Sequence, residues 1–369
     1  MPLSKIQTVD NQVIPNLGRR NLIINGAMQV AQRATSASVS NSVTYLTLDR
    51  WQYTYGHNSS NAYSTWTMSQ DSDAPSGFAN SIKFICTTAA SAPTTLTGTL
   101  IQQKFEGQDL QQLQFATSGA KVLTASFYVK SNQTGNIGVQ LFAEDDQTMN
   151  SQLISIDTAN TWEFKTVTFA AKTSGTQIPD DNTLGLRIRF VFEYNTGRAF
   201  GTANTWATKQ TNSQLVPAGT SARTSSVNDT FFITGCQLEV GDTATDFEHR
   251  SFEEELRLCS RYYRKIGRHM GGGREGYSSS AVTFYPGMRL IGNDAANIVT
   301  TLSAGGVMYS RGGVNNSTGT LNGTVGISTG ATNQAFTASF SHNGASTGST
   351  YNGTGSGFYV DGLTFDAEL

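Results

Sequence analysis

Charge is scarce in this sequence. Asp, Glu, Lys and Arg make up 14% of 369 residues, and 25 Lys plus Arg against 27 Asp plus Glu leave a formal net charge of -2. No basic run breaks that balance, so the field that gathers nucleic-acid phosphates is missing and nucleic acid is not an expected partner. Cysteine is nearly absent as well. Cys86, Cys236 and Cys259 are odd in number, far apart and without a C-x-x-C, which argues against a disulfide framework and against a thiolate zinc site. They read as reduced core residues of a chain made in a cytoplasm. The opening MPLSKIQTVDNQ has no apolar core of a signal peptide, and no apolar run has the length of a membrane span, so neither secretion nor membrane insertion is expected. Also missing are a P-loop and an H-E-x-x-H. The four histidines, His57, His249, His269 and His342, are scattered.

What the chain does have is glycine, 37 copies against 7 prolines, with Ser, Thr, Asn and Gln filling much of the rest. Such a polar, weakly charged surface suits the outside of an assembly. Reduced cysteines and an outward-facing composition are reconciled if the chain leaves its cell by lysis, inside a virus particle.

From Tyr45 to Val240 the apolar residues alternate. Ile82, Phe84 and Cys86 share one face of SIKFIC; Leu123, Ala125, Phe127 and Val129 do so in LTASFYVK, and Ile137, Val139, Leu141 and Ala143 in NIGVQLFA. In TLGLRIRFVFEYN the pattern places Leu184, Leu186, Ile188, Phe190, Phe192 and Tyr194 inward, with Arg187, Arg189 and Glu193 outward. TWEFKTVTFAA changes parity between Trp162, Phe164 and Val167, Phe169, which predicts a bulge. Many short strands without interleaved helices predict an all-β protein, an antiparallel jelly-roll sandwich over residues 41–250.

Residues 1–40, with the apolar patch Leu22, Ile23 and Ile24, read as an N-terminal arm that docks on a partner or on the next domain. Residues 251–267 read as one junction helix. Ser251 and Glu254 make a capping box, acids fill the first turn, Arg261, Arg264 and Lys265 fill the last, and Gly267 follows. Phe252, Leu256, Cys259, Tyr263 and Ile266 then form one narrow stripe, which either packs on its own chain or joins two further copies along a trimeric seam. A linker at 268–279 leads to a second, leaner β domain at 280–369, whose low apolar content suggests that a partner subunit completes it.

Three sets of side chains invite a functional reading. Trp206 and Phe200 lie in NTGRAFGTANTWATKQTNS, a loop of small polar residues, where a large ring suits the apolar face of a sugar; Tyr55 in DRWQYTYGH is the third glycan-binding candidate. Asp229, Glu239 and Asp242 could hold a structural calcium ion, the one cofactor considered. Glu144, Asp145 and Asp146, with Asp180 and Asp181, supply the carboxylates that a glycan hydrolase would need, although their turn-like setting favours ordinary solvated acids.

Four segments taken in order, NLIINGAMQVAQR, YLTLDRWQY, FFITGCQLEVGDTATDFEHRSFEEELRLCSRYYRK and FYVDGLTFDAEL, resemble a module of structural proteins of tailed bacteriophages, especially tail-fibre and virion-appendage proteins. The middle resembles the jelly-roll carbohydrate-binding modules. The resemblance implies a virion protein that assembles with other virion proteins, often as a homotrimer, and displays its sandwich to a host-surface glycan. It implies no ligand-site residues. The expected function is host adhesion without catalysis; a purely architectural head or tail decoration protein is the alternative.

Overall fold

The computed structural model describes residues 20–266 apart from 41, 57–63, 91–97, 196–198, 200 and 210–214, and beyond them the backbone of the strands given below. In chain order the first unit contains β1 (Ser36–Val39), β2 (Gln52–Gly56), β3 (Thr65–Asp71), β4 (Ser81–Thr88), β5 (Gly98–Glu106) and β6 (Leu123–Ser131). It continues with β7 (Gly135–Ala143), β8 (Thr148–Ile156), β9 (Glu163–Phe169), β10 (Leu184–Tyr194), β11 (Ala207–Thr208) and β12 (Thr230–Val240). These strands form two antiparallel sheets, I in the order β1-β3-β4-β12-β6-β9 and II in the order β11-β8-β7-β10-β5-β2. The chain passes repeatedly between the sheets, as in a jelly roll, and the alternating residues meet between them. Trp51, Tyr53, Trp66, Phe84, Phe127, Phe190 and Ile233 are all at most 1% exposed. The fold is the expected all-β sandwich.

Residues 20–40 dock on the sandwich itself; residues 1–19 of the expected arm lie outside the described residues. Ile23, Met28, Val30 and Val39 are buried, and β1 pairs with β3. The polar residues of NLIING do the joining. Asn21 donates through Nδ2 to the Cys236 carbonyl, while its Oδ1 accepts from the Ile23 and Leu238 N–H groups. Asn25, in the left-handed region at φ 59°, donates to the carbonyls of Val30 and Asp49, and its own carbonyl accepts from Trp51 Nε1 at 3.0 Å. From the far end of the unit, the Arg250 guanidinium donates to the Asn21 and Ile23 carbonyls and lies 3.4 Å from Glu255, whose Oε1 accepts from the Asn25 N–H. The N-terminal segment and the segment after β12 therefore close on each other.

The helix is shorter than its sequence pattern. α1 covers Phe252–Cys259, and the Ser251 Oγ accepts from the Glu254 N–H at 3.2 Å, as the capping signal requires. Tyr263 and Ile266 instead belong to β13 (Tyr263–Ile266). Pairing with a strand near the chain end overrides a helical spacing whose aromatic residues suit either state. Phe252 is 54% exposed, Leu256 is half-buried and Cys259 is buried. With two of its five members on a strand, the trimeric helical seam is withdrawn.

The second unit, Leu256–Leu369, continues from β13 with β14 (His269–Gly271), β15 (Val282–Phe284), β16 (Val299–Leu302), β17 (Val307–Arg311), β18 (Gly319–Thr320) and β19 (Gly326–Thr329). β20 (Phe336–Phe340), β21 (Gly357–Val360) and β22 (Leu363–Asp366) complete it. Its sheets run β13-β22-β16, β14-β21-β17-β18 and β15-β20-β19. Strand β14 falls within the expected linker; the remaining residues of 267–279 lie outside the described residues. Among the described residues no helix is long and apolar enough to cross a membrane.

Two expectations about strand faces are corrected. β9 pairs with β6 in unbroken register from Leu123↔Phe169 to Val129↔Glu163, so the bulge does not form. Val167 and Phe169 are buried, while Phe164, 51% exposed, lies against Tyr128 on the outside of sheet I. The bulge lies in β10 instead, between Val191 and Glu193. It turns Tyr194 into a small outer cluster with Leu100, Val191, Leu215 and Val216, and turns Glu193 inward.

Glu193 is 2% exposed and accepts from Ser64 Oγ and Thr99 Oγ1, each at 2.6 Å, with no cation within salt-bridge distance among the described residues. Burial pushes its carboxyl above the usual 4.5, and these hydrogen bonds only partly oppose that. A folded-state value above the unfolded one means that stability is fully present at acid pH and declines as pH rises from 4.5 through the folded value. Glu193→Gln keeps both hydroxyl contacts and is expected to raise stability at pH 7 by about 1–3 kcal/mol. It should also flatten that pH dependence, read as urea midpoints between pH 4 and pH 8.

Candidate functional site

The outer face of sheet II carries a polar rung across five strands, buried except for its half-buried arginine. Gln52 on β2, Gln102 on β5, Arg189 on β10, Gln140 on β7 and Ser151 on β8 are consecutive cross-strand partners. Paired positions share a face in an antiparallel sheet, so the five side chains stand side by side. They are joined in a chain of hydrogen bonds. Gln102 Nε2 donates to Gln52 Oε1 (2.6 Å), Arg189 Nε to Gln102 Oε1 (3.0 Å), Arg189 Nη1 to Gln140 Oε1 (2.9 Å), and Gln140 Nε2 to Ser151 Oγ (2.7 Å). Gln102 and Gln140 each use their oxygen and nitrogen on opposite neighbours, which fixes both rotamers.

The rungs on either side differ in kind. On one side Leu100, Val191, Gly138 and Leu153 are covered by the segment at Leu215 and Val216. Gly138 makes this cover possible, since a Cβ there would lie 2.7 Å from Val216 Cγ1. On the other side stand Lys104, Arg187, Phe142 and Met149. Three cations surround the Phe142 ring: Arg189 at 4.7 Å, Lys209 at 5.2 Å and Arg187 at 5.4 Å from the centroid. Arg187 is paired with Glu144 at 2.6 Å, and Lys209 Nζ donates to Gln147 Oε1 at 2.7 Å. Burial, with Arg187 adding to it, lowers the Arg189 guanidinium to about 9. Burial also lowers the Lys209 ammonium, with Glu144 opposing and Arg189 and Arg187 adding.

Across β11 lies a cleft of about 440 Å³ lined by Asp146, Thr148, Lys172, Ser174, Gly175 and Trp206, among others. Its centre is an ion pair, Lys172 Nζ to Asp146 at 2.8 Å, with Thr148 Oγ1 and the Thr176 N–H donating to the same carboxylate. Burial works against ionisation of Asp146, yet these three donors hold its carboxyl below the ordinary aspartate value. Gly175 sits at φ +114°, and a Cβ there would lie 2.3 Å from Asp146 Oδ2, so the loop closes on the pair only with glycine at this position.

The structure distributes the sequence candidates unevenly. Trp206 lines the cleft, but it is an anchor too: its Nε1 donates to the Ala170 carbonyl at 2.7 Å and its ring meets Phe115 edge-on at 5.2 Å. Tyr55 is 6% exposed in the core, because β2 turns it inward with Trp51 and Tyr53, and so presents no face to a sugar. Phe200 lies outside the described residues. Asp229, Glu239 and Asp242 are not brought together. Asp229 accepts from the Ser226 N–H, Glu239 from Gln237 and Thr245, and Asp242 from Thr243. Among the described residues no cluster of three or more metal-ligating side chains occurs. Glu144 and Asp146 are held by Arg187 and Lys172, Asp181 accepts from Thr183, and burial raises the Asp145 carboxyl.

The sequence reading put Arg187 and Arg189 on the outer face but missed Gln52, Gln102, Gln140 and Phe142. Outward-pointing amides in alternating strands were the available signal; the register that lines them up was not.

No family model matches this chain, and no curated protein does either. Three solved structures illustrate what it is similar to. The enzymatically active domain of tailspike protein 4 of bacteriophage CBA120 is 13% identical over 60% of this chain, with a TM-score of 0.30; the match spans about a fifth (21%) of that chain. A family 11 carbohydrate-binding module from Clostridium thermocellum, in complex with a β-1,3-1,4-mixed-linked tetrasaccharide, is 10% identical over 58% of this chain and 98% of its own, with a TM-score of 0.28. A cyclase from Fischerella sp. TAU is 10% identical over 61% of this chain and 99% of its own, with a TM-score of 0.33. At such scores the function has to be argued from this chain's own side chains.

Proposed function

We propose that the sandwich is a non-catalytic glycan-binding module of a bacteriophage virion protein, and that the cleft across β11 takes the sugar. The observation that carries the reading is the half-buried Trp206 ring in that cleft, beside the polar side chains of Asp146, Thr148, Lys172 and Ser174. Sugar hydroxyls both donate and accept, and fixed polar side chains beside a ring meet them without reorganisation. The virion assignment is supported by the ordered NLIING, QLEVG and EHRSFEEEL segments, which meet in one hydrogen-bonded junction. Recognition of host-surface glycan, with assembly among other virion proteins, follows as the role.

A glycan array probed with the full chain tests this. Binding that falls about tenfold or more in Trp206→Ala, and that survives in Arg189→Gln, is the expected result for a sugar in the cleft across β11. Loss in Arg189→Gln alone moves it to sheet II. An array with no bound glycan favours the architectural decoration role.

A further inference from the structure

β9 is an edge strand of sheet I, and its outward side chains are not needed to fill the core. Phe164, Thr166 and Thr168 face outward, opposite Tyr128, Ser126 and Thr124 of β6, while Val167 and Phe169 turn in. Phe164 is 51% exposed. Two half-buried rings stand beside it: Tyr128, 5.0 Å away between centroids, and Trp162, two residues earlier in the chain. None of the three belongs to the core cluster. Polar groups are fixed at their rim. The Asp73 carboxylate, 43% exposed, accepts from Trp162 Nε1 at 3.0 Å and from the Lys130 ammonium, which itself lies 5.3 Å from the Trp162 ring centroid.

The other end of the same strand leads to the cleft across β11. Thr166 is exposed and Thr168 half-buried. Ala170, the residue after the strand, accepts from Trp206 Nε1 through its carbonyl, and Ala171 to Thr176 line the cleft. An aromatic patch, two hydroxyls and a second ring therefore follow one another along one edge, about 20 Å from Phe164 to Ala170 at the rise of an extended strand. Sugar rings in a chain offer apolar faces to aromatic side chains and hydroxyl edges to Thr, Asp and Lys. We propose that a glycan seated in the cleft continues along β9, over Thr168 and Thr166, to a second subsite at Phe164, Tyr128 and Trp162, where Asp73 and Lys130 meet its hydroxyls. The ligand is then an extended polysaccharide held along its length, not a terminal sugar. Two weak subsites reinforce each other on one glycan chain, since binding at the first raises the effective concentration at the second. This deepens the glycan reading of the cleft and rests on it.

The test titrates the full chain with oligosaccharides of increasing length, from disaccharides upward, cut from mixed-linkage β-glucan, xylan, mannan, polygalacturonate and hyaluronate, with any polymer selected on the array added to the series. At least one series is expected to gain about tenfold or more in affinity between the disaccharide and the longest fragment. Phe164→Ala and Thr166→Arg should each bring the longest fragments down to the affinity of the disaccharide, and Trp206→Ala should lose binding at every length. Both β9 positions are exposed, so the second variant keeps the test decisive if the first does not fold. Equal affinity for short and long fragments overturns the extended track and leaves the cleft reading standing. A gain with length that survives in both β9 variants routes the glycan elsewhere and overturns the subsite at Phe164. A lower mass of Phe164→Ala in solution, with every affinity unchanged, assigns the ring to a contact between copies of this chain and overturns it as well. No binding of any fragment or polymer overturns both readings.

Discussion

Replacing Arg250 with alanine is expected to destabilise the first unit by about 3–5 kcal/mol, the usual cost of removing one member of a buried ion pair. Its side chain is 5% exposed and that of Glu255 8%. Burial already raises the Glu255 carboxyl, with the Asn25 N–H and Arg250 opposing. Without Arg250 that carboxylate is left buried beside Asn25, and the Asn21 and Ile23 carbonyls lose a donor. The physical claim is that most of the loss comes from the stranded acid. The double variant Arg250→Ala, Glu255→Gln should therefore recover a large part of it, with a coupling energy well outside additivity. Urea unfolding followed by tryptophan fluorescence reads both, since the Trp51 indole donates into the same junction. Equal stability of the single and double variants would show that the pair is incidental and that the carbonyl contacts dominate.

Gly26→Ala should cost about 3 kcal/mol or more, at the upper end of overpacking effects. A Cβ at this position would lie 2.1 Å from the Cys236 carbonyl oxygen and 3.2 Å from its carbon. Those are backbone atoms of a central strand. Cys236 N–H donates to the Gly26 carbonyl at 3.0 Å, so separating the two segments also breaks a buried hydrogen bond. β12 has little room to give, because Gly235 next to it sits at φ +60° against Phe78 and Tyr128. The expected result is a lowered melting temperature with loss of near-ultraviolet circular dichroism from Trp51. Wild-type stability would mean that NLIING can lift away, which would restore the reading of residues 20–40 as a separable arm.

The two variants bear on what these two segments are for. NLIINGAMQ and QLEVGDTATDFEHRSFEEE are far apart in sequence, and each alone reads as a loop or a helix start. Together they supply polar side chains that close the sandwich: Asn21 to Cys236 and Leu238, Asn25 to Glu255, and Gln237 and Glu239 to the Thr245 turn. They are structural.

The sequence by itself determined the fold class, the identity of most core residues and the start of the helix. Those properties are local: a period of two decides which side chains face inward, and a Ser with a Glu three residues on decides where a helix begins. The same locality limited it. The helix end at Cys259 depends on a strand near residue 365, and the exposure of Phe164 depends on an unbroken ladder to β6. The inward turn of Glu193 depends on a bulge against β5. Only the tertiary structure decided the polar rung, because it is assembled from one residue on each of five strands spread from Gln52 to Arg189. Antiparallel register sets which of many outward amides become neighbours, and register is fixed by the packing of the opposite face. No local pattern in this chain encodes it.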